Sequence, residues 1–587
     1  MERSSIHDRI KKHLVSLYGE QSGLQTWSQL KSSLDEFQGN NPHLGERSTL
    51  DELKELDVLL ITYADQFQSP GNAHLQTLSQ FIRNHLEGTT SAIHLLPFFP
   101  YSSDDGFAVI DYKRINPEIG EWEDLDPLRE CCRLMFDAVI NHISSQSDWF
   151  QAYLQDQEHF RDYFLTVDPD LDLSKVIRPR AKPLLTEVSK PSGPKHVWTT
   201  FGPDQIDLNY KNPAVLLEII DILLFYIQKG ARIIRLDAIA YLWKKIGTTC
   251  IHLPQTHQVI KLFRAVLDAV APGVILITET NVPHEENISY FGEEIPDDEK
   301  LLSRGDEAQM VYQFPLAPLV LHTFRSGNAE ILTKWAKSIN VPYPSAAFLN
   351  FIASHDGIGV RPAEGLLSAS EIQELVNQTL AHGGQVSYKT NQDGTQSAYE
   401  LNITLYDILN HPDKTPLDLG MKRFMASQAI MLSLAGVPGI YIHSIFGSSN
   451  CHDCVEKTGR ARSINRKKFQ LKNFEKELKN KSTRTSQVFD AYTHYLKIRK
   501  EQRAFNPLSP QEILEIDQRV FALLRSTADG TESVLCLINI SDQDISLSMD
   551  KKIGDPNSVW IDLLAGNRYK FNSIDLHPYQ VLWLKKE

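Results

Sequence analysis

Long apolar runs are missing from this chain. No stretch of about 18 apolar residues occurs, so no membrane-spanning helix is expected. The opening residues, MERSSIHDRIKKHLVSLYGEQ, lack an apolar core followed by a small-residue cleavage site; they read as an amphipathic helix and not a signal peptide. Cysteine is scarce, six in 587 residues, which suits a reducing cytoplasm. Cys451 and Cys454 form one C-x-x-C, but a zinc site needs about four ligands and no second pair follows; two ordinary loop thiols are expected. Positive charge is in deficit. The formal net charge of −14 disfavours nucleic acid or an acidic membrane as partner. No glycine-rich nucleotide turn follows the first apolar run, and no H-x-x-x-H or H-E-x-x-H pattern lies near the acids discussed below.

What is present is a rhythm. Short runs rich in Val, Ile and Phe recur at 57–65, 91–99, 134–142, 231–239, 273–280, 309–314, 346–356 and 436–444, each followed by a loop and a helical stretch. Apolar on both faces and alternating with helices, they read as parallel strands. Eight such units predict an α/β fold, a (β/α)8 barrel; the same pattern could in principle build a doubly wound open sheet, which the missing nucleotide turn disfavours. Residues 1–55 read as a helical extension, 56–504 as the barrel, with insertions at 143–205 and 357–410 after strands three and seven, and 505–587 as a small antiparallel β domain. Insertions this long are usually functional, and both leave the strand ends where barrel active sites form.

Polar residues gather at those ends. Strand four carries Arg235 and Asp237, strand five Glu279, strand seven His355 and Asp356, strand three Asn141 and His142 with Asp137 four residues earlier, and YSSDDGF after strand two brings Asp104 and Asp105. One strand-end carboxylate alone is more often a helix cap. Five strand ends delivering acids, imidazoles or arginine to one rim point to chemistry, because buried unpaired charge is costly. Glycosyl transfer fits: it needs one carboxylate as nucleophile and one protonated carboxyl as general acid, with a nearby arginine keeping the nucleophile ionised. A metal site built from the same acids is the competing chemistry.

DAVINH (137–142), ARIIRLDAI (231–239), LITET (276–280) and FIASHD (351–356) resemble, in order, the four signature segments of the α-amylase superfamily, glycoside hydrolase family 13. HLLPFFPYSSDDGFAVIDY (94–112), VWTTFGPDQIDLNY (197–210), LDAIAYLWKKIGTTCIHLPQTH (236–257), ITETNVPHEENISYFG (277–292), ASHDGIGVRPAEGLL (353–367) and RSINRKKF (462–469) resemble its sucrose phosphorylase subfamily. The N-terminal segment and IRPRAKPLLT look closer to the glucosylglycerate phosphorylases within it. The resemblance implies a retaining α-glucosyl phosphorylase with sugar and phosphate as partners, no cofactor, and no metal; amylases of the superfamily often hold calcium through the Asn that matches Asn141, but this subfamily does without it.

By the same resemblance Asp237 is the nucleophile, Glu279 the general acid and then base, and Asp356 the carboxylate that holds sugar hydroxyls. Arg235 orients Asp237, and His142 and His355 bind hydroxyls. Asp104 and Arg466 close the far end of the glucose pocket, which Phe107 and Gln205 line. Tyr399 faces the acceptor from a mobile loop. Arg180, next to Pro179, is the phosphate candidate within the basic run Arg178–Lys182, which could otherwise be a solvated loop. Trp149, Trp198 and Trp243 are sugar platforms or core. Glycerate is the preferred acceptor; fructose, fructose 6-phosphate and glycerol stay open, as do a plain α-glucosidase or transglucosidase and a non-catalytic binding relative.

Overall fold

The computed structural model describes residues 3–45, 53–179, 183–295, 303–390, 395–549 and 558–587. The eight apolar runs form eight parallel strands: β1 (Leu59–Thr62), β2 (Ala92–Leu95), β3 (Arg133–Ala138), β4 (Ala231–Leu236), β5 (Ile275–Thr278), β6 (Met310–Tyr312), β7 (Ala347–Asn350) and β8 (Val437–Tyr441). Each pairs with its neighbours in sequence, and Leu59 of β1 lies opposite Gly439 of β8, so the sheet is a closed barrel and not an open one. Alternation along each strand explains why both faces are apolar. Leu59, Ala92, Met135, Ile233, Ile275, Met310, Ala347 and Val437 fill the lumen. Their neighbours Leu60, Ile93, Leu134, Ile234, Leu276, Val311, Phe348 and Ile440 face outward into the core shared with the helices. Burying one such side chain is worth roughly 1.5–3 kcal/mol.

Two helices, α1 (Arg3–Tyr18) and α2 (Glu20–Asn40), form the N-terminal extension and lie on the barrel helices α3 (Pro213–Gln228) and α4 (Pro254–Val270). Asp268 of α4 is 2% exposed at its side chain and meets Arg9 of α1, Arg264 at 3.0 Å and Arg304 at 2.8 Å. Burial pushes this carboxyl up, but the arginines outweigh it and hold it well below the usual carboxylate range. The extension is thus pinned by charge as well as by the apolar stripe Ile10 and Leu14.

The segment 357–410 is not a plain loop. It holds a helix, Ala369–Ala381, capped by Ser368 and Glu371 in a reciprocal capping box, and a hairpin, Gln385–Thr390 with Gln396–Asn402, whose second strand also pairs with Ile358 and Gly359. The last part of the chain forms a six-stranded antiparallel sheet and a two-stranded one. Here Phe521 and Leu523 pack on the main core, while Val520 and Ala522 pack into the sheet's own core.

The two C-x-x-C cysteines differ from expectation. They are paired as a disulfide, and they open a helix, His452–Thr458, instead of sitting in a loop. The reason is local: helical spacing of three brings the two residues onto one face, with Cα atoms 5.2 Å apart, inside the range a disulfide needs.

The first insertion is fastened by a buried cation. Lys244 Nζ donates to Asn141 Oδ1 at 2.8 Å and lies 2.6 Å from Asp207 Oδ2. Asp207 also accepts from Thr200 N–H at 2.9 Å and Thr200 Oγ1 at 2.6 Å. Asn141 therefore accepts from an ammonium supplied by the chain itself. Lys244→Met leaves Asp207 buried without its counter-charge, so stability is expected to fall by about 3–5 kcal/mol. A lowered thermal midpoint, partly recovered by adding Asp207→Asn, is the expected result; an unchanged midpoint contradicts it.

Candidate active site

The strand pleat places Ile233, Arg235 and Asp237 in one inward column, with Asp137 of β3 directly beside Arg235. Arg235 is 2% exposed. Its Nη1 donates to Asp137 Oδ1 and, at 2.7 Å, to Asp237 Oδ1; its Nη2 is 3.8 Å from Glu279 Oε1. On the other side, Asp137 Oδ2 lies 2.6 Å from His94 Nε2 of β2. One guanidinium thus serves three carboxyls while Asp137 is shared with an imidazole. Rings of Tyr312 and Phe107 flank Arg235 with centroids 5.5 and 5.7 Å from its guanidinium carbon.

Above this network is a cavity of about 90 Å³. Asp237, Glu279 and Asp356 all line it, as do Asp104, Phe107, His142, Gln205, His355 and Tyr399. Arg235 sits beneath its floor. Arg466 is not among the lining residues: it stands behind Asp356, with Nη2 3.5 Å from Asp356 Oδ1, Nε donating to His355 O at 2.8 Å, and Nη1 on Asp105 rather than Asp104. Asp104 instead meets Gln205 Nε2 at 3.3 Å. One wall of the cavity is built around Phe107, whose carbonyl accepts from His142 Nε2 at 2.8 Å and Gln205 Nε2 at 3.0 Å, and whose ring stacks on His355 with centroids 5.1 Å apart. Trp149, Trp198 and Trp243 line none of this cavity and pack in the core.

Two kinks aim these side chains. Ala238, directly after Asp237, has φ +47°, a left-handed conformation that is costly for a residue with a Cβ. The turn sends its N–H to Glu279 Oε2 at 2.9 Å. Asp104 and Asp105 also have positive φ, and Gly106 follows at +110° where a Cβ would lie 2.7 Å from Pro97 O. Only glycine fits there, and the bend brings Asp104 and Phe107 to the cavity.

Electrostatics separates the three carboxyls. Burial, and then the facing carboxylates, raise both Asp237 and Glu279, while Arg235 opposes the rise. Two such groups titrate as a pair. Arg235 lies 2.7 Å from Asp237 and 3.8 Å from Glu279, so of the two it stabilises charge on Asp237 more strongly. At Asp356 burial again pushes up, but the guanidinium charges, Arg462 foremost and Arg466 with it, outweigh it and keep the group well below the usual range. Burial drops His355 to about 3, so it is neutral at pH 7. His355 Nδ1 and Asn281 Oδ1, from residues lining the cavity, are buried without a hydrogen-bond partner among the described residues. Unmatched polar atoms in a polar cavity suit a ligand rich in hydroxyls.

Sequence reasoning did not single out Arg462 or Glu400, which also line the cavity. Arg462 lies four residues before Arg466, in RARSINR; a second arginine at that spacing was the one available signal. Of the basic run, Arg180 and Lys182 lie outside the described residues. Pro179 is buried, and Ile177 N–H donates to Thr249 O at 3.0 Å, so the chain just before the run borders the loop after β4. No group of three or more His, Cys, Asp or Glu among the described residues is arranged to hold a metal ion, and no described helix is long and apolar enough to cross a membrane.

Residues 85–357 match the family Alpha amylase, catalytic domain. Over 98% of this chain and 98% of the other, the sequence is 46% identical to a glucosylglycerate phosphorylase of Spirochaeta thermophila. It is also 46% identical to the glucosylglycerate phosphorylase of Escherichia coli (90% and 92%). A crystal structure of sucrose 6F-phosphate phosphorylase from Thermoanaerobacter thermosaccharolyticum superposes with a TM-score of 0.71 at 25% identity, over 88% of this chain and 98% of that one. A closed eight-stranded barrel, three carboxyls at the ends of strands four, five and seven, and likeness over nearly the whole length agree: the chain is an enzyme of the α-amylase superfamily, in its sucrose phosphorylase subfamily.

Proposed function

We propose that the enzyme is a retaining glucosylglycerate phosphorylase, converting α-glucosylglycerate and phosphate to α-glucose 1-phosphate and glycerate. The observation that carries the acceptor is the 46% identity, over nearly the full length, to glucosylglycerate phosphorylases; sucrose phosphorylases are 28–30% identical over 70–83% of the chain. The chemistry rests on the carboxyl geometry. Arg235 occupies Asp237 Oδ1, leaving Oδ2 to attack the sugar carbon. Glu279 gives its proton to the departing glycerate oxygen as the bond from that oxygen to carbon breaks, and a β-glucosyl ester forms on Asp237. A phosphate oxygen then attacks the same carbon from the other face, the ester bond breaks, and the Glu279 carboxylate accepts the proton of the incoming group. Two inversions give net retention.

The other site residues take supporting roles in this reading. Ionised Asp356 and neutral His355 and His142 hold sugar hydroxyls, with Asp104, Phe107 and Gln205 forming the closed end of the pocket and Arg466 fixing Asp356 from behind. Tyr399 faces the acceptor. Arg180 is assigned to phosphate, since its planar fork suits that anion, and the same positive run suits the glycerate carboxylate.

Phosphate release from α-glucose 1-phosphate is expected with glycerate and to be weak with fructose, fructose 6-phosphate or glycerol. Release with fructose alone sinks the acceptor assignment, and release with none sinks the subfamily reaction. Arg180→Ala is expected to lower phosphorolysis by about tenfold or more and leave hydrolysis of the same donor little changed; an equal loss in both removes the phosphate role. Because burial and the facing carboxylates raise Glu279, it keeps its proton above the ordinary glutamate range. Glucosylglycerate cleavage should therefore lose rate on the acid side as Asp237, raised as well, takes up a proton, and on an alkaline limb well above pH 4.5 as Glu279 loses its own. In Glu279→Gln that limb should vanish, together with about a hundredfold or more of the rate. A limb retained in Glu279→Gln would assign the proton elsewhere.

A further inference from the structure

Glu400 has no role in the reaction scheme above, yet its surroundings are among the most constrained in the site. It is 3% exposed and follows Tyr399 in the second strand of the hairpin, opposite Gly359 in the loop after β7. Its two carboxylate oxygens engage Arg462 twice, Nε at 3.0 Å and Nη2 closer still. The remaining nitrogen, Nη1, lies 2.5 Å from Asp356 Oδ1. A guanidinium is planar, so two parallel bonds to one carboxylate fix its plane and hence the direction of the third nitrogen. A single contact would leave it free to turn.

The same logic repeats on the other side of Asp356. Arg466 Nη2 approaches Oδ1 at 3.5 Å while Arg466 Nη1 is taken by Asp105. Both arginines thus converge on one oxygen of Asp356, and each is braced by a carboxylate of its own. This leaves Oδ2 of Asp356 for a sugar hydroxyl. Asp356 alone would face two guanidinium charges, and Glu400 and Asp105 supply the balancing carboxylates.

We propose that Glu400 is a positioning residue that, through Arg462, sets the orientation of Asp356 and so joins the acceptor-side hairpin to the glucose pocket. The inference rests on the reading that Asp356 holds glucose hydroxyls in the transition state. A carboxylate that only fastened the hairpin would affect stability or acceptor binding. One that positions Asp356 affects the rate of breaking the glucosyl bond, whatever leaves.

The test uses the full-length enzyme and α-glucosyl fluoride, a donor whose leaving group is independent of the acceptor, with phosphate present and fluoride release as readout. Glu400→Gln is expected to lower kcat by about tenfold to a hundredfold with KM for the fluoride within about threefold of the wild type, and Glu400→Asp to recover part of the loss. Arg462→Lys, which keeps the charge but cannot make the two-point contact, is expected to lose kcat similarly; it carries the test if Glu400→Gln fails to fold, as judged by thermal unfolding. A folded Glu400→Gln enzyme with kcat within about twofold of the wild type, or one changed in KM alone, overturns the inference and leaves the proposed reaction standing. A wild type that releases no fluoride overturns the glucosyl-transfer reading and the inference with it.

Discussion

Everything at the top of the barrel depends on one buried cation shared among too many anions. Arg235 reaches Asp137, Asp237 and Glu279 from inside the lumen, and its own charge is held there because burial is outweighed by those carboxylates. A lone guanidinium in that position would be costly, and so would any of the acids without it. The arrangement is stable only as a set. It is also unequal, since the contact distances favour charge on Asp237 over charge on Glu279.

Around this centre the site divides its positive charge by task. Arg235 serves the strand-four side. Arg462 and Arg466 converge on Asp356 after strand seven, and each is tied to an element outside the barrel strands: the hairpin for Arg462, the bend after β2 for Arg466. Cavity and peripheral loops are therefore connected through ion pairs, not merely adjacent. The strained backbone at Ala238 and at Asp104–Gly106 lies at the same rim, where distortion is held in place by the surrounding contacts.

Much of this was legible in the sequence, and what was not has a common cause. The eight strands could be read because a barrel strand is apolar on both faces, a pattern that survives without knowledge of its neighbours. The acids could be read because charge at the end of such a run is conspicuous. Arg462, Glu400 and Lys244 could not. Arg462 and Glu400 are 62 residues apart and Lys244 lies 103 from Asn141, so the pairing that gives each its role is invisible from the residues beside it. The cysteine pair was misjudged for a related reason: helix propensity over His452–Thr458, seven residues after a turn-rich stretch, is too short a signal to read. The phosphate-side assignment, Arg180, falls in a part of the insertion outside the described residues and stays on the strength of sequence likeness.

Lys244 has a consequence for how this fold relates to its surroundings. A domain stapled by a bound ion is whole only when the ion is supplied, and its integrity follows the free concentration of that ion. Here the staple between Asn141 and Asp207 is covalently part of the polypeptide, delivered by the loop that begins just after Asp237. Its stoichiometry is fixed at synthesis and no chelator can withdraw it. The insertion, whose Phe201 and Gln205 line the cavity, is fastened by the same stretch of chain that carries Asp237, so correct seating of one reports correct seating of the other.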